Sequence, residues 1–321
     1  MQGIERAGGE CKTIRETTMC LIIFTLGVLL FAGCSVKRTA VNIVGSALSS
    51  GGGVYVSDDD PELIREAIPF GLKTFESLLA VSPKHKGLLL AAASGFCAYA
   101  YLLQDEAERF DAIDLSRART LNGRACKHYL RSRNYALRGL ELEHPNFIAL
   151  LKKDSVFALS QTIKGDVPFL YWAGASWAGA LTAAKANLTL MGDLPLAGAL
   201  VQRVVQLDET YEYGAAHEFL ISYEGSRLGG SSLQARKHYS RAIEISGGQR
   251  ASAHLALAQS VTIREQNISE FKELMKAALA VNPDKVPQLR LLNTIARRRA
   301  GWMLKNISNY FLDAEQWEVT E

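Results

Sequence analysis

A series of amphipathic segments, each ending at a polar or proline-containing turn, is the feature that most restricts how this sequence can fold. Apolar residues recur at helical spacing within these segments, which is typical of helices that bury one face. Alternating apolar runs bounded by hairpin turns, the pattern of strands, are missing from the sequence. The chain is therefore predicted to be nearly all α. The last apolar residues before the turns are Val81, Leu142, Leu207, Ile245 and Val281.

The intervals between these turns indicate a repeated unit. Leu207 and Ile245 are 38 residues apart, and Ile245 and Val281 are 36 apart, whereas the earlier intervals are roughly double. A helix-turn-helix unit of about 34 residues with proline at its exit resembles the tetratricopeptide repeat. One unit cannot bury its apolar face alone, so the resemblance implies an α-solenoid of stacked helical hairpins. Unrelated helical hairpins in a globular bundle are the alternative.

The N-terminal residues have the pattern of a secretory signal. Residues 1–18 are polar with scattered cations, and residues 19–31 form an apolar run that leads to Ala-Gly-Cys at Cys34. This run is shorter than the roughly 20 residues that span a bilayer as a helix. The small-small-Cys end resembles the lipobox of bacterial lipoproteins, although Phe31 stands where leucine is usual. The pattern predicts a lipoprotein signal peptide over residues 1–33 and acylation of Cys34, with an uncleaved anchor or an ordinary signal peptide as alternatives.

The segment after Cys34 predicts a location and a tether. Gly- and Ser-rich stretches in residues 34–60 indicate a flexible tether. Asp60, followed by a proline, has the pattern of a helix N-cap, so a helical body is predicted over residues 61–321. The lipid, a palmitate-type anchor, would hold this body in the periplasm at a membrane. Ser35 resembles the sorting pattern for outer-membrane delivery, but the choice between inner and outer membrane stays open.

Charge and cysteine content exclude several classes of protein. The formal net charge is only +3, and no basic stripe interleaved with aromatics is present, so a nucleic-acid partner is not expected. The dense basic run 297–299 is interpreted as a solvated helix face, with a phosphate or lipid site as the alternative. Cys97 and Cys126 are the cysteines left in the predicted body. They either bridge adjacent helices in an oxidising compartment or stay as buried thiols.

Three helical segments are rich in alanine and glycine with aromatic residues among them, at 87–103, 168–187 and 211–224. Small residues let helices approach closely, whereas Tyr and Trp side chains can also form the walls of a groove because they combine an apolar body with a polar tip. In repeats of this type the first helix of each hairpin lines the concave face. That arrangement places a set of aromatic residues near a possible groove, with core packing as the alternative: Phe96, Tyr99, Trp172, Trp177 and Tyr223.

His217 and Glu218 form the most pointed polar pair in these segments. Glu218 lies between apolar residues of a predicted helix, and an unpaired buried carboxylate is costly, so Glu218 needs a partner. A structural partner such as Lys185 or a helix terminus is one interpretation. A ligand-binding role is the other.

Three strings of this sequence resemble a known family: DVPFLYWAGASW at 166–177, LDETY at 207–211 and GAAHEF at 214–219. They are similar to the TatT family, periplasmic lipoproteins with tetratricopeptide-like repeats associated with tripartite ATP-independent periplasmic (TRAP) transporters. The similarity covers about residues 58–290, after which 291–311 is predicted as a capping helix. The resemblance implies an α-solenoid, a homotrimer, a hydrophobic pore and association with the transporter's substrate-binding protein. The candidate pore-lining or ligand-contacting residues are then Phe96, Tyr99, Tyr171, Trp172, Ser176, Trp177, His217, Glu218 and Tyr223.

The sequence does not favour an enzyme. It contains no HExxH, no Walker-type loop and no dinucleotide-binding glycine motif, and 174–179 is not a nucleophile elbow. Neither a cofactor nor a metal site is expected. The prediction is a membrane-anchored periplasmic accessory protein of a TRAP transporter that binds or channels an organic, apolar or amphipathic solute and docks the substrate-binding protein. The alternative is a scaffold lipoprotein that binds a protein on its concave face without a small ligand.

Overall fold

The computed structural model describes residues 39, 41–49, 53–111, 113–184 and 192–312. All regular secondary structure in these ranges is helical, which confirms the prediction of an all-α body. Cys34 and the signal segment lie outside the described residues. The principal helices are α1 (Pro61–Val81), α2 (Lys86–Phe110), α3 (Leu115–Glu143), α4 (Phe147–Lys153), α5 (Ser155–Ser160), α6 (Val167–Ala183), α7 (Leu194–Asp208), α8 (Tyr211–Ser226), α9 (Ser232–Ser246), α10 (Ala251–Leu257), α11 (Ile268–Ala280) and α12 (Arg290–Lys305).

Helix α1 begins where the sequence predicts. The Asp60 carboxylate accepts hydrogen bonds from the backbone N–H groups of Glu62 and Leu63, both at 3.0 Å. Pro61 occupies the first helical position, where its missing N–H costs nothing. The predicted N-cap at Asp60 is therefore confirmed.

The predicted helix ends also agree with the structure. The last helical residues are Val81, Glu143, Asp208, Ser246 and Ala280, each the predicted residue or its immediate neighbour. Helix α9, for example, ends where Gly247 adopts the left-handed conformation of a C-terminal cap.

Helices that follow each other in the chain pack side by side, and alternate helices also contact each other. The order α2, α6, α8, α10, α12 forms a second continuous series of contacts; these five are called the inner helices here. The intervening helices α3, α7, α9 and α11 pack mainly on their chain neighbours. Two adjoining apolar clusters result. One extends from α1 to α8 and also includes Leu291 and Ile295 of α12, and the other extends from α8 to α12.

The last helix returns to the first two. Arg298 on α12 donates to Glu62 at 2.6 Å and to Asp105 at 2.7 Å, and its neighbour Arg299 forms an ion pair with Glu108. This set of ion pairs is called the closing seam. The expectation of a solvated basic face at 297–299 is wrong for these two arginines, because carboxylates of α1 and α2 lie opposite them.

The segment before α1 is more ordered than a simple tether. Residues 41–49 are helical, and Gly53–Val56 form a further helical turn. Ser82 donates to the side chain of Asn42 at 2.6 Å, and Arg290 donates to the carbonyl oxygen of Ser57 at 2.9 Å. The flexible tether expected over 34–60 is thus held in its described part by Ser82, in the turn before α2, and by Arg290, the first residue of α12.

Helix α2 is long and apolar enough to cross a membrane by length and composition, but its environment is a protein core. It packs against α1, α3 and α6, and Leu88 and Leu89 are fully buried. We therefore assign α2 to the core. Cys97 on this helix is a buried free thiol, and Cys126 on α3 is a half-buried one.

Candidate functional site

The inner helices hold a largely buried ion pair. The Glu218 carboxylate on α8 pairs with the Arg250 guanidinium, which precedes α10, and accepts a hydrogen bond from the Ser252 hydroxyl at 2.6 Å. Arg250 also donates to the carbonyl oxygen of Glu212 at 2.8 Å. Arg250 is 6% exposed, so it needs both acceptors. The predicted need of Glu218 for a partner is confirmed; Lys185, the partner suggested from the sequence, lies outside the described residues.

Three aromatic side chains of α6 and α8 stand beside this pair. The Tyr171 ring lies 5.0 Å from Trp172 and 5.4 Å from Tyr211, measured between ring centroids. Burial raises the pKa of Tyr171 well above its usual value, although the nearby Arg250 charge opposes the shift. The neutral hydroxyl of Tyr171 is therefore available as a hydrogen-bond donor or acceptor at any physiological pH.

A third tyrosine comes from α2. Burial raises the pKa of Tyr101 to about 12, and the charges of Arg299 and Glu218 act on it from the facing helices. The group formed by Tyr101, Tyr171, Tyr211, Glu218, Arg250 and Ser252 is called the interior polar cluster.

The residues of the interior polar cluster are suited to binding a ligand. The Glu218 carboxylate is already held by a guanidinium and a hydroxyl. The tyrosine hydroxyls are neutral, and aromatic rings provide apolar surface next to them. Such a set suits the binding of a molecule that has both an apolar body and a polar group.

The backbone at the start of α8 is strained. Glu212, Tyr213 and Gly214 have φ values of 47°, 57° and 83°, in the left-handed region that costs a non-glycine residue roughly 1–2 kcal/mol. The hydrogen bond from Arg250 to Glu212 holds this turn. Arg250 therefore links the ion pair to the geometry of the α7–α8 connection.

Only part of the predicted site lies in the interior polar cluster or against it. Tyr171, Trp172 and Glu218 are brought together as described. Phe96 and Trp177 are almost fully buried, and Ser176 is buried against Ser132 at 2.5 Å. The placement of Phe96 and Trp177 supports the core-packing alternative.

The remaining predicted residues occupy other surroundings. His217 Nδ1 lies 2.9 Å from His238 Nδ1, and His217 Nε2 lies 3.3 Å from a Glu209 carboxylate oxygen. Burial lowers the pKa of both histidines. Tyr99 accepts a hydrogen bond from Arg124, and Tyr223 stacks on Phe219 with centroids 6.0 Å apart.

Sequence reasoning missed Arg250, Ser252 and Tyr101. Arg250 follows the Gly247-Gly248 turn and opens an apolar helix, and an arginine at such a position is a signal for pairing with an internal carboxylate. Nothing in the sequence points to Ser252 or Tyr101, because a serine or tyrosine in an alanine-rich helix is common. Among the described residues, no group of three or more His, Cys, Asp or Glu side chains is placed to hold a metal ion.

Comparison with known proteins adds a family match. The sequence model of TAtT, described as the TRAP transporter T-component, matches residues 57–311, which include every helix from α1 to α12. A protein of Treponema pallidum (strain Nichols), described as an uncharacterized protein, is 27% identical over 322 residues. That alignment covers 92% of this chain and 98% of the other protein.

Proposed function

Because the chain belongs to the TRAP transporter T-component family, we propose that it binds or channels an organic solute for such a transporter and docks the transporter's substrate-binding protein. The interior polar cluster is the observation that carries this proposal. It brings neutral tyrosine hydroxyls, one ion pair and aromatic rings together on helices that face each other. An apolar or amphipathic solute matches this set of side chains, since its polar end meets hydrogen-bonding groups while its body meets rings.

The proposal includes an assembly and a location. Stacked neighbouring helices and the inner series of contacts are what a tetratricopeptide-like solenoid requires. A lipid on Cys34 would keep the body at the periplasmic surface of a membrane, where a transporter works. We further propose a homotrimer, in keeping with the family resemblance of the Trp-rich and His-Glu strings.

Native mass spectrometry of the full chain, released from detergent micelles, tests the assembly and the solute together. The expected spectrum contains a species of three chains with a retained organic molecule, and a separate binding assay with the cognate TRAP substrate-binding protein gives a complex. A strict monomer without a retained molecule and without affinity for the substrate-binding protein would contradict the proposal. Binding of the partner protein with no small molecule in any preparation would favour the scaffold function instead.

Variants locate the solute within the chain. Tyr171→Phe removes only a hydroxyl from the interior polar cluster and should lower the amount of retained solute several-fold. Ser222→Ala on the exposed face of α8 is the matched control and should change nothing. Equal retention by both variants would place the solute elsewhere.

A further inference from the structure

A groove of about 430 Å³ lies on the other side of α2 from the interior polar cluster. Side chains of α1, α2 and α3 line it, including Arg65, Tyr99 and Arg124. Tyr99 and Tyr101 are two residues apart, and each helical residue turns by about 100°, so their side chains leave α2 in nearly opposite directions. The groove has the volume of an ordinary small-molecule site. It is called the arginine groove.

The arginine groove has more positive than negative charge. The Glu106 carboxylate binds Arg65 through one oxygen and Arg117 through the other, the latter at 2.8 Å. Burial alone would raise the pKa of Glu106, but the hydrogen bonds and charges of Arg117 and Arg65 lower it overall. Glu66, the other carboxylate of the lining, is 76% exposed and 4.0 Å from Arg65. The groove thus contains three guanidinium groups, one carboxylate that is paired with two of them, and one carboxylate that is exposed to solvent.

Of the three arginines that line the groove, Arg124 is the one that forms no ion pair with a carboxylate of the described residues. Its Nη2 group donates to the hydroxyl of Tyr99 at 2.9 Å. Tyr99 is 7% exposed, and its ring meets His128 edge-on at 4.9 Å, so the hydroxyl is a fixed acceptor. A guanidinium has five N–H donors in a planar fork that matches a carboxylate or phosphate. Arg124 is therefore oriented by one hydrogen bond and retains donors for an oxyanion.

A small apolar surface accompanies the charged lining of the groove. Leu103 and Leu121 lie behind the charged side chains with little exposed surface, and Pro69 is part of the wall. A ligand that fills this space needs a charged head for Arg124, and only a short apolar body matches the small apolar surface. We propose that the arginine groove binds a small organic oxyanion, a carboxylate or phosphate on a short apolar group, separately from the solute of the interior polar cluster.

Ligand-observed NMR titrations of the full chain in mild non-ionic detergent test this site. Butyrate is the carboxylate probe, butan-1-ol is its neutral counterpart, and inorganic phosphate is the phosphoryl probe. Arg124→Gln removes the free cation without breaking an ion pair between described residues. Arg119→Gln removes an exposed cation from the same helix but outside the groove, so it is the matched control. Thermal unfolding by circular dichroism confirms that both variants are folded.

Butyrate should bind at least tenfold more tightly than butan-1-ol, because the charged head supplies most of the affinity. Arg124→Gln should weaken butyrate binding roughly ten- to hundredfold, the usual contribution of a hydrogen-bonded charge pair. Arg119→Gln should leave it within about twofold, as expected for one distant screened charge. Phosphate binding that depends on Arg124 also supports the site, and the ratio of the two dissociation constants assigns the head group. Equal binding of butyrate and butan-1-ol, no binding of either anion, or wild-type affinity in Arg124→Gln overturns the proposal.

Discussion

Replacing Gly174 by alanine tests whether the small residues of α6 serve close packing between α6 and α7. A Cβ atom at this position would lie 2.6 Å from Cγ2 of Val201 and 2.9 Å from the carbonyl oxygen of Ala197. Both distances are below the roughly 3.5 Å at which non-bonded atoms attract each other best. The carbonyl belongs to the α7 backbone, so the two helices would have to separate.

The magnitude follows from two opposing effects. Alanine in a helix interior gains about 0.5–1 kcal/mol over glycine, because glycine loses more backbone entropy on folding. Overpacking a close helix contact costs about 1–3 kcal/mol. Gly174→Ala should therefore destabilise the protein by about 1 kcal/mol net. Gly123→Ala on α3, whose Cβ would meet nothing within 4 Å, should stabilise it by about 0.5–1 kcal/mol.

Urea unfolding followed by helical circular dichroism measures both variants against the parent. The two free energies of unfolding should differ by about 2 kcal/mol, with unchanged dependence on urea concentration. If Gly174→Ala stabilises the protein as much as Gly123→Ala does, the α6–α7 contact is not tight. The small residues of α6 would then leave space between α6 and α7 instead of allowing the two helices to pack closely.

Three further predictions concern single side chains. Burial lowers the pKa of His254 to about 4, below the roughly 6.5 of a histidine in the unfolded chain. The free energy of unfolding should therefore fall by up to roughly 3 kcal/mol as the pH falls from 6.5 to 4, because the unfolded state binds the proton first. In urea-unfolding experiments, His254→Gln should remove this part of the pH dependence. Asp105→Asn weakens the closing seam and should cost about 2 kcal/mol, because it leaves Arg298 half-buried without its strongest partner, with faster hydrogen exchange in α12. Cys34→Ser should move the protein from the membrane fraction to the soluble fraction without unfolding it.

Each of these predictions has an outcome that contradicts it. Above pH 7, the free energy of unfolding of His254→Gln should vary with pH as it does in the parent. If the two also vary alike below pH 6.5, His254 does not titrate on unfolding. Unaltered exchange in α12 after Asp105→Asn would mean that the apolar contacts alone hold this helix. Loss of folding in Cys34→Ser would show that the anchor is structural.

The helical fold was predictable because its signals are local. An N-cap such as Asp60 and an apolar stripe ending at Val81 or Ile245 depend on residues close in sequence. The helical contacts of residues 41–49 were not predictable, since they rest on Ser82 and His85, about 40 residues away. The same holds for the left-handed turn at 212–214, which depends on a hydrogen bond from Arg250.

The candidate site was predictable only in part. Glu218 was conspicuous because a carboxylate in an apolar helix needs a partner. Aromatic residues gave a weaker signal, since a ring at helical spacing suits a core and a groove equally. Trp177 and Tyr171 both lie on α6. Trp177 packs beside Arg133 in the core, whereas Tyr171 lies beside the ion pair of Glu218 and Arg250. Which face of α6 meets which neighbour depends on long-range packing.

The closing seam also sets an order for folding. Arg298 is separated by 193 residues from Asp105 and by 236 from Glu62, so these contacts have very high sequence separation. Asp105 is buried in the finished protein but has no α12 partner until the C-terminal part of the chain has emerged. During synthesis from the N-terminus, Asp105 and Glu62 therefore have only Arg109 of α2 as a cation partner among the described residues. A chain that stops before Arg290 lacks the α12 arginine that completes the neutralisation of this acidic edge.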